Sequence, residues 1–192
     1  MKRMVYGVVC VFIFSALGRA QDIGIGASYV FVDELDDVYG VVGHVHVPVT
    51  DSVFLALRGG SYQDVERSST VGLVGIDITA DYYPVDLGVG WKQGLGEGGV
   101  TFTAEVGLSY VFVNSDIELN GQPTPNEIKN DLGWYTTIGL RMGEGPWKGF
   151  IEAQYRTFTW SIDEDGLPPG LPTPDDVELD HVALNVGVAY QW

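Results

Sequence analysis

The sequence predicts an all-β protein, an eight-stranded antiparallel up-and-down β-barrel that crosses a membrane. Three observations predict it. Eight segments alternate apolar side chains with small or polar ones at a period of two, as strands with two unlike faces do. Charged residues in those segments keep almost wholly to one face. The links between segments alternate between short turns and generally longer, acidic stretches, the pattern of a barrel with a turn rim and a loop rim.

The chain has 192 residues, room for one domain. Residues 1–20 read as an export signal: Lys2 and Arg3, an apolar run from Met4 to Leu17, then the small residues Gly18 and Ala20 flanking Arg19. A retained anchor is the alternative, but the run is short for a bilayer-spanning helix, which needs about 20 apolar residues. Cys10 lies inside this run without a lipobox before it, and is the only cysteine. That excludes a disulfide framework and the usual structural zinc sites. Residues 21–192 are expected to form the barrel. The net charge is −16, and Lys2, Arg3 and Arg19 are the only charges in residues 1–20, so the barrel region is more acidic still. No basic stripe is present to neutralise phosphates, which argues against nucleic acid as a partner.

The first strand runs over 22–33, with Ile23, Ile25, Ala27, Tyr29 and Phe31 on one face. Glu34-Leu35-Asp36-Asp37 breaks it as an acidic loop. The second, 38–49, sets Tyr39, Val41, Val45 and Val47 against Val42, His44 and His46. Thr50-Asp51 is a tight turn. The third, about 52–62, sets Val53, Leu55 and Leu57 against Phe54, Ala56 and Arg58, and a polar loop is expected from Gln63 to about Thr70.

The fourth segment, about 72–94, changes phase. Ile76, Ile78, Ala80 and Tyr82 share a side first; after Pro84 the apolar set is Val85, Leu87, Val89 and Trp91. A bulge near Tyr83-Pro84 accounts for the flip, because one extra residue exchanges a strand's faces. Two strands with a turn at Pro84-Val85-Asp86 are the alternative and would make nine. A turn at 95–99 leads to strand five, 100–113, with Phe102, Ala104, Val106, Leu108, Tyr110 and Phe112 outward. A long polar loop is expected over about 114–130. Strand six, 131–143, turns at Glu144-Gly145-Pro146 into strand seven, 147–161. An acidic, proline-rich loop over about 162–176 precedes strand eight, which ends at Trp192.

Charge decides which face meets lipid. The side carrying Arg58, Asp86, Lys92, Glu105, Arg141, Glu152 and Arg156 must face the lumen, since Arg or Lys facing the bilayer midplane costs about 2–4 kcal/mol. Aromatics agree. Trp91, Phe102, Trp147, Tyr190 and Trp192 fall near the short-turn end; Tyr29, Phe31, Tyr39, Tyr83, Tyr110, Phe112, Trp134 and Tyr155 fall near the other. From Phe102 to Tyr110 or Phe112 the strand climbs roughly 20–25 Å, close to the apolar band of membrane barrels. A soluble lipocalin-like barrel is the alternative and would turn its apolar face inward.

The last eight residues carry a further signal. Asn185, Gly187, Tyr190 and the terminal Trp192 fill the slots polar, any, glycine, two of any, aromatic, any, terminal aromatic. This resembles the carboxy-terminal insertion signal of bacterial outer-membrane barrels. The region as a whole resembles the small eight-stranded group of the OmpA transmembrane domain, OmpX and OmpW. The resemblance covers architecture and the terminal signal, without the peptidoglycan-binding domain that OmpA-like proteins add. It implies the cell outer membrane of a Gram-negative bacterium, contact with lipid and lipopolysaccharide, and insertion by the barrel assembly machinery through the last strand.

Arg58, Glu105, Arg141, Glu152 and Arg156 are the candidate constellation, a lumen charge network, because a lone buried charge must find partners. A structural plug is the expected role; a gated polar path is the alternative, and catalysis a lesser one. His44 and His46 share a lumen-facing side and read as polar filling rather than a metal pair. No Ser-His-Glu set shares an outward face, His181 sits near the outer rim with Asp180, and no catalytic residue, cofactor or metal is expected. Asp163-Glu164-Asp165-Gly166 lacks the continuation of a calcium loop. With Asp33, Glu34, Asp36, Asp37, Asp175 and Asp176 it crowds one rim with acids, where divalent cations are candidates to bridge carboxylates to one another or to lipopolysaccharide phosphates. The expected role is structural or surface-interacting through these loops, and non-enzymatic. A narrow OmpW-like channel and a lipid A-modifying enzyme are the alternatives.

Overall fold

A computed structural model describes residues 22–32, 38–71, 74–124, 128–160 and 177–192. The export segment 1–20 and the acidic stretches 33–37 and 161–176 lie outside the described residues. Eight long strands form one closed antiparallel barrel. They are β1 (Asp22–Val32), β2 (Val38–Pro48), β3 (Val53–Val71), β4 (Val74–Gly94), β5 (Val100–Leu119), β6 (Asp131–Met142), β7 (Trp147–Trp160) and β8 (Val177–Gln191). Each pairs with its neighbours in sequence, and β8 closes the wall on β1 from Asp22↔Gln191 to Val32↔His181.

The short turns are built by their own chemistry. Thr50 Oγ1 accepts from the N–H groups of Ser52 (3.3 Å) and Val53 (3.0 Å), holding the β2–β3 turn. Gly96 and Gly99, at φ 74° and 65°, supply the left-handed residues of the β4–β5 turn.

Through the middle of the wall the apolar face is outward. Ile25 is 65% exposed, Leu87 64% and Leu108 59%, while the inward Asp86, Glu152 and Arg156 are buried. Aromatics ring both edges of this band. Trp147–Tyr190 (5.0 Å between centroids) and Trp91–Phe102 (6.2 Å) sit at the short-turn end, and Tyr29–Tyr39 (5.0 Å) and Trp134–Tyr155 (5.2 Å) at the other.

The phase change in β4 has a different origin from the one the sequence suggested. β4 pairs with β5 without a break from Ile76↔Leu119 to Gly94↔Thr101, so there is no bulge at Tyr83-Pro84. The register shift lies in β3, between Tyr62 and Val65. From Ala80 to Gly90 the even-numbered residues of β4 point inward without a break: Ala80, Tyr82, Pro84 and Asp86 are all buried. What inverts is the surroundings. Inside the aromatic band, lipid is outside and the polar lumen inside. Beyond it, β3, β4 and β5 project as a three-stranded sheet whose inner face closes over an apolar cluster and whose outer face carries Glu66, Asp77, Thr79, Asp116 and Glu118. The alternation keeps its period and exchanges its polarity.

The same exchange explains two segments expected as loops. Residues 63–71 continue β3, leaving only residues 72–73 between it and β4, and 114–119 continue β5. Asn120 and Gly121, with φ 50° and 73°, then reverse the chain into a short strand Gln122–Pro123 that pairs back on β5.

Candidate functional site in the lumen

The lumen fills in layers. Nearest the short turns, Asp22, His44, His46, Arg58, Glu105, Arg141 and Glu152 meet from six strands, all buried. Arg58 gives Nε to Glu105 Oε2 (2.5 Å), Nη2 to Glu105 Oε1 (2.8 Å) and Nη1 to Glu152 Oε2 (2.8 Å). Small residues make room. A Cβ at Gly24 would collide with the His44 imidazole, and one at Gly139 would lie 2.7 Å from Glu152 Cγ.

Arg141 binds Asp22 through Nη1, and its Nη2 lies 3.0 Å from His44 Nε2, 3.2 Å from His46 Nδ1 and 3.8 Å from Glu152 Oε1. His44 Nε2 is also 3.1 Å from Asp22 Oδ1, and His46 Nε2 is 3.0 Å from Glu105 Oε1. The two imidazoles stack at 4.6 Å, and His46 stacks on Phe54 at 4.1 Å. A vestibule of about 280 Å³, lined by Asp22, His46, Lys92, Thr103, Arg141 and Lys148, leads from the short-turn rim to this layer.

Arg156 belongs to a second layer. Its Nη2 donates to Asp86 Oδ2 (2.6 Å), which also accepts from Gln154 Nε2 (3.1 Å), and its Nη1 lies 3.4 Å from His181 Nε2. Above it comes an aromatic layer. Tyr62 and Tyr82 stack face to face at 4.4 Å and 9°, Phe158 lies 6.0 Å from Tyr82, and the Tyr62 hydroxyl is 2.9 Å from Ser28 Oγ. Val65, Ile117 and Ile128 continue the apolar packing outward, with the Ile128 N–H tied to Ser115 Oγ at 2.9 Å.

Sequence reasoning put five charges in one group. The structure brings Arg58, Glu105, Arg141 and Glu152 together and sets Arg156 with Asp86. It adds Asp22, which the sequence marked only as the start of a strand, and joins His44 and His46 to the charges. Alternation alone identifies these residues as inward-facing; which strands face one another across the lumen follows only from closure.

No protein-family model matches the sequence, and no curated protein does. Solved structures do match. OprG of Pseudomonas aeruginosa, an outer membrane protein, superimposes with a TM-score of 0.59 at 13% identity, covering 91% of this chain and 97% of that one. Neisserial surface protein A gives 0.58 at 11%, covering 89% and 96%. The outer membrane protein AlkL, determined in lipid bilayers, gives 0.58 at 16%, covering 89% of each. The fold is that of the small outer-membrane barrels. It is the architecture that the resemblance to the OmpA, OmpX and OmpW group led one to expect.

In this fold the residues of the terminal motif take distinct places. Asn185 is buried in the lumen opposite Glu152, and a Cβ at Gly187 would strike the Ile25 carbonyl and the Phe150 ring. Tyr190 and Trp192, 5.8 Å apart, join Trp147 in the short-turn girdle.

Proposed function

We propose that this protein resides in the outer membrane as a closed barrel that anchors an acidic outer surface, with a structural or surface-interacting role and no catalytic one. The observation that carries the reading is the filled lumen. Arg58 bridges Glu105 and Glu152, and the Tyr62–Tyr82 stack fills the lumen above it. A barrel whose interior is packed contributes its rim and its outer face. The projecting sheet of β3, β4 and β5 offers Glu66, Asp77, Asp116 and Glu118 to water, and the acids of 33–37 and 161–176 belong by sequence to the same rim. Lipopolysaccharide with its divalent counter-ions is the partner such a rim suits, since carboxylates meet lipid phosphates only through cations. The barrel assembly machinery is the partner proposed for the motif Asn185, Gly187, Tyr190 and Trp192.

The vestibule at the short-turn end favours a second reading, a narrow channel for small solutes that opens on rearrangement of the charge layer. Planar-bilayer conductance separates the two. The packed-barrel reading expects no conductance steps from the wild type, and none from Arg58→Ala or Glu105→Ala. Stable steps from the wild type, altered by either substitution, would establish the channel instead.

A further inference from the structure

We propose that Asp22, His44 and His46 form a binding site for one divalent transition-metal ion, reached through the vestibule, with Arg141 holding the ligand set when no ion is bound. The three residues present ligand atoms that all lie within 4.8 Å of one another, and all three are buried. They come from paired strands: Asp22 is opposite His46, and His44 follows on the same face of β2. Two imidazole nitrogens and one carboxylate oxygen are a donor set for a borderline first-row ion such as Zn²⁺, with a fourth position left for water.

Four observations point to a cation here. First, Asp22, His44 Nε2 and His46 Nδ1 already converge on one cation, the Arg141 guanidinium. Second, this layer sets two guanidinium groups, Arg58 and Arg141, against three carboxylates, Asp22, Glu105 and Glu152. With neutral histidines those five groups carry a net negative charge, with Lys92 and Lys148 farther out along the vestibule, so the layer favours a cation. Third, Arg141 has somewhere to go. Glu152 Oε1 is a buried acceptor without a hydrogen bond, and it lies 3.8 Å from Arg141 Nη2. Fourth, His46 turns Nδ1 toward Arg141 and the other two ligands, while its Nε2 lies 3.0 Å from Glu105 Oε1 on the far side of the ring. A carboxylate beside the ring nitrogen away from the metal is a common feature of histidine-ligated sites.

Binding is then an exchange of cations. The ion takes Asp22, His44 and His46, and Arg141 turns to Glu152. This reading is independent of whether the barrel conducts.

The test is a Zn²⁺ titration of the full, untagged chain, extracted from membranes in detergent, with bound metal counted after equilibrium dialysis. Heat-modifiable gel migration verifies that each variant is folded. The wild type is expected to bind one buried Zn²⁺. His44→Gln and His46→Gln should each weaken it by about tenfold or more, and Arg141→Gln, which removes the competing cation, should tighten it. X-ray absorption on the loaded protein should show nitrogen ligands. Zinc binding that is unchanged in both histidine variants, as acids on the outer rim would give, overturns the proposal. So does the absence of binding in both the wild type and folded Arg141→Gln.

Discussion

Arg58 grips Glu105 with two parallel hydrogen bonds, Nε to Oε2 at 2.5 Å and Nη2 to Oε1 at 2.8 Å, and spends its third nitrogen on Glu152. The planar fork fits a carboxylate with both bonds in one plane, and both groups are buried. The attraction largely offsets the cost of taking the charges out of water, so the arrangement is more a condition of closing the barrel than a surplus of stability.

Arg58→Ala should therefore destabilise the barrel by about 3–5 kcal/mol, because it leaves two buried carboxylates without their partner. Replacing the three together, Arg58→Met with Glu105→Leu and Glu152→Leu, should recover most of that loss. Denaturant unfolding in detergent, followed by tryptophan fluorescence, measures both. An equal loss in the single and triple variants would mean that shape, not charge pairing, sets the stability of this layer.

Leu108 and Asp116 both point outward from β5, but on opposite sides of the upper aromatic girdle. Leu108→Arg should cost about 2–4 kcal/mol in a bilayer, as a cation facing lipid does. Asp116→Arg, on the projecting sheet, should change stability little. Folding titrations into lipid vesicles compare the two. Similar costs would contradict the inverted surroundings assigned to the upper part of the strand.

Gly187→Ala should lower stability by about 1–3 kcal/mol, since its methyl group meets the Ile25 carbonyl and the Phe150 ring inside the wall. Gly43→Ala is the matched control. Its Cβ would meet only the Gly24 carbonyl, at 3.5 Å, so the change should be neutral or stabilising through lost chain freedom. Unfolding midpoints of the two variants, taken side by side, check the contrast.

The barrel was legible in the sequence because a membrane wall has two environments at every height. Ile23, Ile25, Ala27 and Tyr29 alternate with small residues, and no charge interrupts them. Beyond the upper aromatic girdle the rule changes sign. Val65 and Ile117 are inward and Glu66, Asp116 and Glu118 outward, so a search for outward grease takes 63–71 and 114–119 for loops. Asn120-Gly121 was the local signal available, as a pair that favours the left-handed turn of a hairpin. For the lumen, alternation identifies inward charges but not their partners. That Arg156 takes Asp86, and Arg141 takes Asp22, depends on strand stagger and closure, which no local pattern records.

A barrel of this polarity keeps its outward face in hydrocarbon and its lumen free of lipid. Methyl NMR of the barrel in lipid nanodiscs, reading Overhauser contacts to acyl chains, tests this without altering a residue. Leu87, Leu108, Val186 and Val188 should show strong contacts, and Val42, Val65 and Val111 none. Acyl contacts at the second set and not at the first would contradict the account.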